Sequence, residues 1–312
     1  MPQQLVAYVA TALAEGMGIR AAGRVFGLDP DTVLRILRAV GAHAARVDQH
    51  FLQQGLSVRE CQLDELWTFV AAKAIVLDGE RALRNISGDI WIWIALDAEC
   101  KLALAWHVGG RTSADAFALF AQLKCVLPDA PLLFTADDLP HYAQPILQTY
   151  GVLVTPPRTG RPGRPRAPFW APSPSLRYAQ IIKRRERDQV IEKRVVIVFG
   201  DQGEIQDLLA ENGQVMNTSY VERRNLTLRH DNRRLTRKTL SFSKREEMLT
   251  HQLSLSFAYT HFVRPHASLT VKTPNLRTKA QTPMMAKGLT DHIWTMDELL
   301  SFPLDANAVP RN

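Results

Sequence analysis

The first fifty residues carry apolar positions at a helical period, from residue 3 to about residue 50. A first helix rich in small residues leads to Gly27 and is followed by a second helix. Asp29 is a suitable N-cap for that helix and Pro30 a suitable first-turn residue. The apolar stripe of the second helix comprises Val33, Leu34, Ile36, Leu37 and Val40. Two short helices joined at a glycine turn are typical of a helix-turn-helix.

The second helix of a helix-turn-helix enters the major groove of DNA, where its exposed polar residues contact bases or phosphates. This prediction makes Thr32, Arg35 and Arg38 DNA-binding residues. The alternative is a helical hairpin that only packs or dimerises. Both interpretations place residues 1–56 in one helical unit.

From Ser57 the pattern changes to short runs of β-branched and aromatic residues that predict strands. The predicted order is three strands, a helix, a strand, a helix and a fifth strand: Glu60–Val70, Asp89–Leu96, Lys101–Val108, a helix over 113–126, Pro131–Thr135, a helix over 141–150 and Val152–Thr155. This order is typical of a ribonuclease H-like α/β core.

Residues 156–214 differ in composition from the rest of the chain. The segment 156–166 alternates proline, glycine and arginine, which resists compact packing and predicts an exposed arm. Two further strands are predicted at Tyr178–Lys183 and Val190–Phe199. Residues 151–200 hold 11 Arg and Lys against 3 acids. The candidate DNA contacts in this insertion are Arg161, Arg164, Arg166, Arg184 and Arg185; the alternative is a solvated linker.

The whole chain of 312 residues has a formal charge of +7, which favours nucleic acid as a partner without requiring it. Cys61, Cys100 and Cys125 are far apart, without a zinc-ligand spacing, and are interpreted as reduced core thiols. No signal-like stretch is present, and the longest apolar run, around Trp91–Leu96, is too short to cross a membrane. We therefore expect a cytoplasmic protein.

A predicted helix near residue 220 places one acid in a field of positive charge. Glu222, Asn225 and Arg229 lie at i, i+3 and i+7 and so share one face. The basic run that follows adds Arg233, Arg234 and Lys238. A long helix to about Phe262 and a short helix near residues 296–300 complete the pattern.

Two core acids are positioned to join Glu222 in metal-dependent chemistry. Asp64 lies within the first strand and Asp137 just beyond the fourth, and these strands are neighbours in a core of this order. Three carboxylates can hold two divalent ions about 3.5–4 Å apart, which activate a nucleophile and stabilise a leaving oxygen in phosphoryl displacement.

Each acid also has an alternative. Asp64 can bond a nearby turn, with Glu65 beside it on the surface. Asp137 and Asp138 can cap the turn before Pro140, and Asp97 fits a turn before Lys101. Finally, Ser219 and Glu222 fit a helix capping box.

An ordered run of motifs resembles transposases of the insertion-sequence-one family over roughly residues 15–155 and 215–275. The motifs are Leu63-Asp-Glu-Leu-Trp67, Thr135-Ala-Asp-Asp-Leu-Pro-His-Tyr142, Asn217-Thr-Ser-Tyr-Val-Glu-Arg-Arg-Asn225, Leu240-Ser-Phe-Ser-Lys244 and Arg264-Pro-His-Ala-Ser-Leu269. Members of that family commonly carry a cysteine zinc motif ahead of the helix-turn-helix, which this sequence does not show.

The resemblance implies a DDE (Asp-Asp-Glu) site on a ribonuclease H-like, retroviral integrase-like core, with Asp64, Asp137 and Glu222 as catalytic and metal-binding residues. Asp137 is preferred to Asp138 because it lies three residues before Pro140, as the family's second acid does. The implied cofactor is two Mg²⁺ ions, with Mn²⁺ as a substitute. Asn225 is expected to orient Glu222 or a substrate oxygen, and Arg229 to contact a DNA phosphate.

The implied partners are double-stranded DNA, as terminal inverted repeats and target, and further copies of the chain in a homodimer or higher oligomer, in the nucleoid of a prokaryote. The expected organisation is a helix-turn-helix domain (1–56), a catalytic core in two parts (57–155 and 215–275), the basic insertion (156–214) and a tail (276–312). The alternatives are an inactive or domesticated DNA-binding regulator and a nuclease on the same fold.

Overall fold

The computed structural model describes residues 1–71, 88–157, 166–187, 189–210, 216–272 and 278–304. These residues form an α/β structure around a mixed sheet of six strands. Within this part of the chain, none of the helices combines the length and apolarity that crossing a bilayer requires.

The elements follow the predicted order closely through the first two-thirds of the chain. The helices are α1 (Gln3–Ala14), α2 (Ile19–Phe26), α3 (Pro30–Leu52), α4 (Ser113–Val126), α5 (Ala143–Tyr150), α6 (Gln202–Ala210), α7 (Ser219–His230), α8 (Glu246–Ala258), α9 (Pro283–Ala286) and α10 (Met296–Ser301). The strands are β1 (Glu60–Phe69), β2 (Asp89–Asp97), β3 (Ala103–Gly109), β4 (Leu133–Ala136), β5 (Val152–Val154), β6 (Phe169–Ala171), β7 (Tyr178–Glu186), β8 (Gln189–Phe199), β9 (His266–Lys272) and β10 (Thr278–Gln281).

The main sheet has the strand order β3-β2-β1-β4-β7-β8. Strands β1, β4 and β7 are mutually parallel, whereas β2, β3 and β8 join by antiparallel pairing. The carboxyl ends of the three parallel strands therefore meet at one edge of the sheet. This arrangement is compatible with a ribonuclease H-like core.

The prediction that Val152–Thr155 forms the fifth strand of the core is wrong. β5 is only three residues long and pairs with β6 in a separate two-stranded sheet. The place beside β4 belongs to β7, which is nine residues long and buries Tyr178, Ala179 and Ile181. Because β7 and β8 lie in the main sheet, residues 178–199 of the predicted basic insertion are part of the core.

The amino-terminal helices form as predicted. The Asp29 carboxylate accepts a hydrogen bond from the Asp31 backbone at 2.8 Å and so caps α3, and Gly27 has a left-handed φ of 65° in the turn before it. α3 extends to Leu52 and packs along α8. Apolar residues of α1 and α3 share one hydrophobic cluster with residues of the sheet. The boundary predicted at residue 56 therefore does not separate two hydrophobic cores.

The three cysteines are free thiols in two environments. Cys61 and Cys100 are buried, as predicted. Cys125 is exposed in the last turn of α4, so the prediction of a core thiol is wrong there. Its neighbours Leu123 and Val126 occupy the buried face of that helix.

Candidate active site

The register of β1 and β4 brings two of the predicted acids together. Gln62 of β1 pairs with Thr135 of β4, and Asp64 and Asp137 follow two residues later on each side. One carboxylate oxygen from each of Asp64, Glu65 and Asp137 lies within 4.8 Å of the others. Asp137 is half-buried while Asp138 is exposed, which favours Asp137 as the second acid.

Glu65 belongs to this acidic cluster, although it was expected at the surface. The Arg111 guanidinium pairs with Oε1 of Glu65, with Nε at 3.1 Å, and the Tyr142 hydroxyl donates to Oε2 at 3.2 Å. Successive side chains of a strand point to opposite faces, and the neighbouring residues Leu63 and Leu66 are buried in two different hydrophobic clusters. Both faces of β1 are therefore covered, and neither acid of the pair is on a solvent face. Two adjacent acids in an apolar strand were the sequence signal for this.

Proximity and burial raise the pKa values of all three carboxyls of the acidic cluster. Burial, followed by the charges of Glu65, Asp137 and Glu222, raises the pKa of Asp64 to about 7. Burial is also the first cause of the raised pKa of Asp137 and of Glu65. Arg111 opposes the rise at both of these groups. Ionisation of all three carboxyls together is therefore unfavourable without a counter-charge, which a bound cation would supply.

Asn225 of α7 reaches the acidic cluster directly. Its side-chain Nδ2 donates to Asp64 Oδ2 at 2.7 Å, and the residue is buried. The partner of Asn225 is thus Asp64 and not Glu222, and a buried amide is not available to DNA. Its position holds one oxygen of Asp64 in a fixed direction.

Glu222 lies in the first turn of α7, close to the acidic cluster but outside the 4.8 Å group. Its charge contributes to raising the pKa values of both Asp64 and Asp137. Oε1 of Glu222 accepts from Thr218 Oγ1 at 2.6 Å and pairs with Nζ of Lys183 on β7. The capping box predicted from Ser219 does not form, because Thr218 is the N-cap residue and its side chain makes no capping hydrogen bond. The Glu222 side chain remains 39% exposed, on the accessible side of the site.

Gln62 attaches α7 to β1 beside Asp64. Its side-chain oxygen accepts from the backbone N–H groups of Tyr220 and Val221, each at 3.1 Å. Its Nε2 donates to the Asn217 carbonyl at 2.8 Å and to Glu60. The first turn of a helix has unsatisfied N–H groups, so this one side chain fixes where α7, and with it Glu222, begins.

Replacing Gln62 by alanine should destabilise the protein by about 1–2 kcal/mol, because buried N–H groups lose their acceptor. We also expect weaker stabilisation by Mn²⁺ in thermal unfolding, since α7 carries Asn225 and Glu222. Gln252→Ala is the matched control: it removes another buried glutamine, which donates to the Leu13 carbonyl at 3.1 Å away from the acids. Equal Mn²⁺ responses in both variants would contradict a positioning role for Gln62.

Some of the predicted DNA-binding residues are exposed, some lie outside the described residues, and the others are partly or fully buried with partners inside the protein. Six are at the surface: Arg35, Arg38, Arg166, Arg184, Arg233 and Lys238. Arg161, Arg164 and the side chain of Arg185 lie outside the described residues. Thr32 is half-buried and accepts from the Arg35 guanidinium at 2.9 Å, and Arg38 pairs with Glu247 at 3.0 Å.

Two arginines predicted to contact DNA have structural partners instead. Arg229 donates to the carbonyl of Trp67 at 2.9 Å and to that of Leu235 at 3.2 Å. Arg234 is buried and donates to the Ser243 hydroxyl at 2.9 Å. Their guanidinium groups therefore fasten the chain after α7 to β1 and to the segment before α8, which corrects the prediction for both.

Asp97 is the last residue of β2, and its side chain stabilises the turn before Lys101, which agrees with the turn prediction for this acid. Its carboxylate accepts from the backbone of Glu99 at 2.8 Å and pairs with Lys287 at 2.8 Å. The acidic cluster does not include it.

The donor set of the acidic cluster fits a hard divalent cation. It offers carboxylate oxygens only, at spacings that permit shared coordination, and Mg²⁺ and Mn²⁺ prefer such oxygen ligands. Glu65 is already bonded through both oxygens, so Asp64 and Asp137 are the better ligands. Glu222 can join them only if its contact with Lys183 gives way.

No known family model matches the chain, and no curated protein matches it in sequence.

Proposed function

We propose that this chain is a DDE transposase with a ribonuclease H-like core, which cleaves DNA ends and joins them to target DNA. The convergence of Asp64 and Asp137 at the carboxyl edge of the sheet carries this proposal. The sheet order and the position of Glu222 at the first turn of α7 support it.

In this proposal Asp64 and Asp137 hold divalent ions, and Glu222 completes the site. Mg²⁺ held by these residues would activate a water or hydroxyl nucleophile and stabilise the leaving oxygen. Asn225 fixes the orientation of Asp64, and Arg111 limits the repulsion among the acids by pairing with Glu65. The contact between Nζ of Lys183 and Glu222 must open before Glu222 can bind an ion.

DNA is the expected substrate because exposed cations lie on elements around the sheet. Arg184 is on β7, which also carries Lys183, while Arg233 and Lys238 follow α7. Arg35 and Arg38 lie on the exposed side of α3. Such cations bind the phosphate backbone without reading its sequence.

The test uses DNA from either side of the gene. Short inverted repeats bounded by a target duplication are expected there, and duplexes that end in those repeats are incubated with Mg²⁺ and the full-length chain. We expect cleaved 3′ ends and joined products, both lost in Glu222→Gln. If Glu222→Gln formed as much joined product as the wild type, the assignment of Glu222 as the third acid would be wrong.

The same assay separates the alternative functions. A nuclease on this fold would cut the ends without joining them. A DNA-binding regulator would bind the DNA without cutting it. Either result would replace the transposase proposal.

A further inference from the structure

A cavity of about 470 Å³ lies on the far side of α7 from the acidic cluster. It is bounded by α7, by the short π-helix Tyr259–Val263 that follows α8, and by the start of β9. Its volume is within the range of about 300–1,000 Å³ typical of ligand sites. Five of its lining residues are basic or imidazole groups: Lys101, Arg223, Arg224, Arg264 and His266. None of its described lining residues is an acid.

Arg224 is the unusual member of this basic pocket. It is only 8% exposed, and its guanidinium lies over the ring of Phe257 and donates to the hydroxyl of Thr260. Its Nε has no hydrogen-bond partner among the described residues. A buried charge with an unused donor is costly unless a counter-ion is present.

The nearby acids do not supply that counter-ion. Among the described residues, no acid forms an ion pair with Arg224. Asp48 is hydrogen-bonded to His261 at 2.6 Å, and Asp231 is paired with Arg264 and with His230.

His266 lies in the positive electrostatic field of the same basic residues. Burial lowers the pKa of His266, and the charges of Lys101, Arg224, Arg223 and Arg264 lower it further. The charges of these four basic residues would attract an anion to the cavity.

The basic pocket and the acidic cluster use opposite faces of one helix. Tyr220, Arg223, Arg224 and Thr227 follow each other at the spacing of one helical face and line the pocket. Glu222 and Asn225 project from the other side, toward β7 and β1. An anion in the pocket is thus separated from the proposed catalytic metals by the body of α7.

We propose that this basic pocket binds a phosphate group, with Arg224 as the buried anchor and Arg223 and Lys101 at the rim. The ligand is a phosphodiester of a DNA strand or a free phosphate of similar charge. This site goes beyond the proposed function, because it does not need the carboxylates or a metal.

The first experiment measures thermal unfolding of the full chain in EDTA, in phosphate and in chloride at equal ionic strength. A ligand that binds only the folded state raises the melting temperature. We expect a phosphate-specific rise in the wild type that is lost in Arg224→Gln and reduced in Arg223→Gln, with affinity lowered about tenfold for the exposed residue. Arg24→Gln, at an exposed position on α2, is the matched control and should respond like the wild type.

Because Arg224 is buried, Arg223→Gln keeps the test valid if Arg224→Gln fails to fold. The same phosphate response in the wild type, Arg24→Gln and Arg223→Gln would be a general salt effect and would overturn the proposal. A response that is reduced in Arg223→Gln but unchanged in Arg24→Gln supports it, whether or not Arg224→Gln folds.

A second measurement identifies the source of the phosphate. Fluorescence anisotropy of a short labelled duplex in EDTA is recorded for the wild type and Arg223→Gln, with inorganic phosphate as competitor. Weaker duplex binding in Arg223→Gln assigns the basic pocket to a phosphodiester, whereas unchanged duplex binding assigns it to a free phosphate. Asp64→Asn should leave both phosphate responses intact, so failure of the catalytic proposal is distinguishable from failure of this one.

Discussion

Replacing Asp64 or Asp137 by asparagine is expected to abolish stabilisation by Mn²⁺ and to lower DNA cleavage and joining by at least about 10²–10³-fold. Either change removes an anionic ligand from the group whose oxygens lie within 4.8 Å of each other. Without metal, the substitution should not lower the stability of the protein. Asp64 is half-buried beside other carboxylates, so a neutral amide relieves repulsion and Asp64→Asn should unfold at the same or a higher temperature than the wild type.

Asp138→Asn is the matched control for this experiment. It makes the same chemical change one residue after Asp137, at an exposed position outside the acidic cluster. We expect it to retain both the Mn²⁺ response and the activity. Asp137→Asn and Asp138→Asn behaving alike would contradict the assignment of Asp137 as a ligand.

A second large effect is expected at Gly41, where α3 crosses α8. A Cβ at this position would lie 2.5 Å from the carbonyl oxygen of His251 and 2.8 Å from its Cα, so it would meet backbone rather than a movable side chain. In an open helix the loss of glycine would stabilise the chain by about 0.5–1 kcal/mol. The free-energy cost of overpacking is larger than this gain, and we expect Gly41→Val to destabilise the protein by about 3 kcal/mol.

Urea unfolding of Gly41→Val and Ala42→Val provides the measurement. Ala42 is the next residue of α3 and is exposed, so valine there carries its low helix propensity without the steric contact. We expect a change of only a few tenths of a kcal/mol in this control. A similar loss in both variants would show that propensity, not the close packing of α3 on α8, is responsible.

Local patterns in the sequence predicted most of the elements that build the site. The strands from residue 60 to residue 136 and the helix at 113–126 appear where alternation and helical periodicity placed them. The proximity of Asp64 and Asp137 was expected because the order of elements makes the first and fourth strands neighbours, and these strands pair in parallel. The long helix predicted to about Phe262 forms as α8 over Glu246–Ala258 and buries Met248, Leu253 and Phe257.

What the sequence did not reveal depends on contacts between distant segments. Val152–Val154 and Tyr178–Glu186 both have strand propensity, and only packing against β4 decides which one joins the sheet. The partners of Arg229 are the carbonyl groups of Trp67 and Leu235, and no local sequence pattern predicts these contacts. From sequence alone, a basic residue on a predicted helix is interpreted as a surface charge. Only the fold shows whether another segment of the chain covers it.

The same limit applies to Lys183. In sequence it begins the basic run Lys183-Arg-Arg, and only the pairing of β7 with β4 brings it to Glu222. Its partner is 39 residues away along the chain. Charge counts therefore identified the basic segment, but not the residue within it that contacts the third acid.

The packing of α3 against α8 has a consequence during synthesis on the ribosome. Roughly 200 residues separate the two helices, and at about 5–20 residues per second the later helix emerges ~10–40 s after the earlier one. Throughout that interval Val40, Ala44 and Val47 of α3 lack the surface that buries them in the finished protein. The nascent chain thus presents the apolar face of α3 to chaperones during this interval, and chains that stop before α8 should be degraded by proteases faster than the full-length chain.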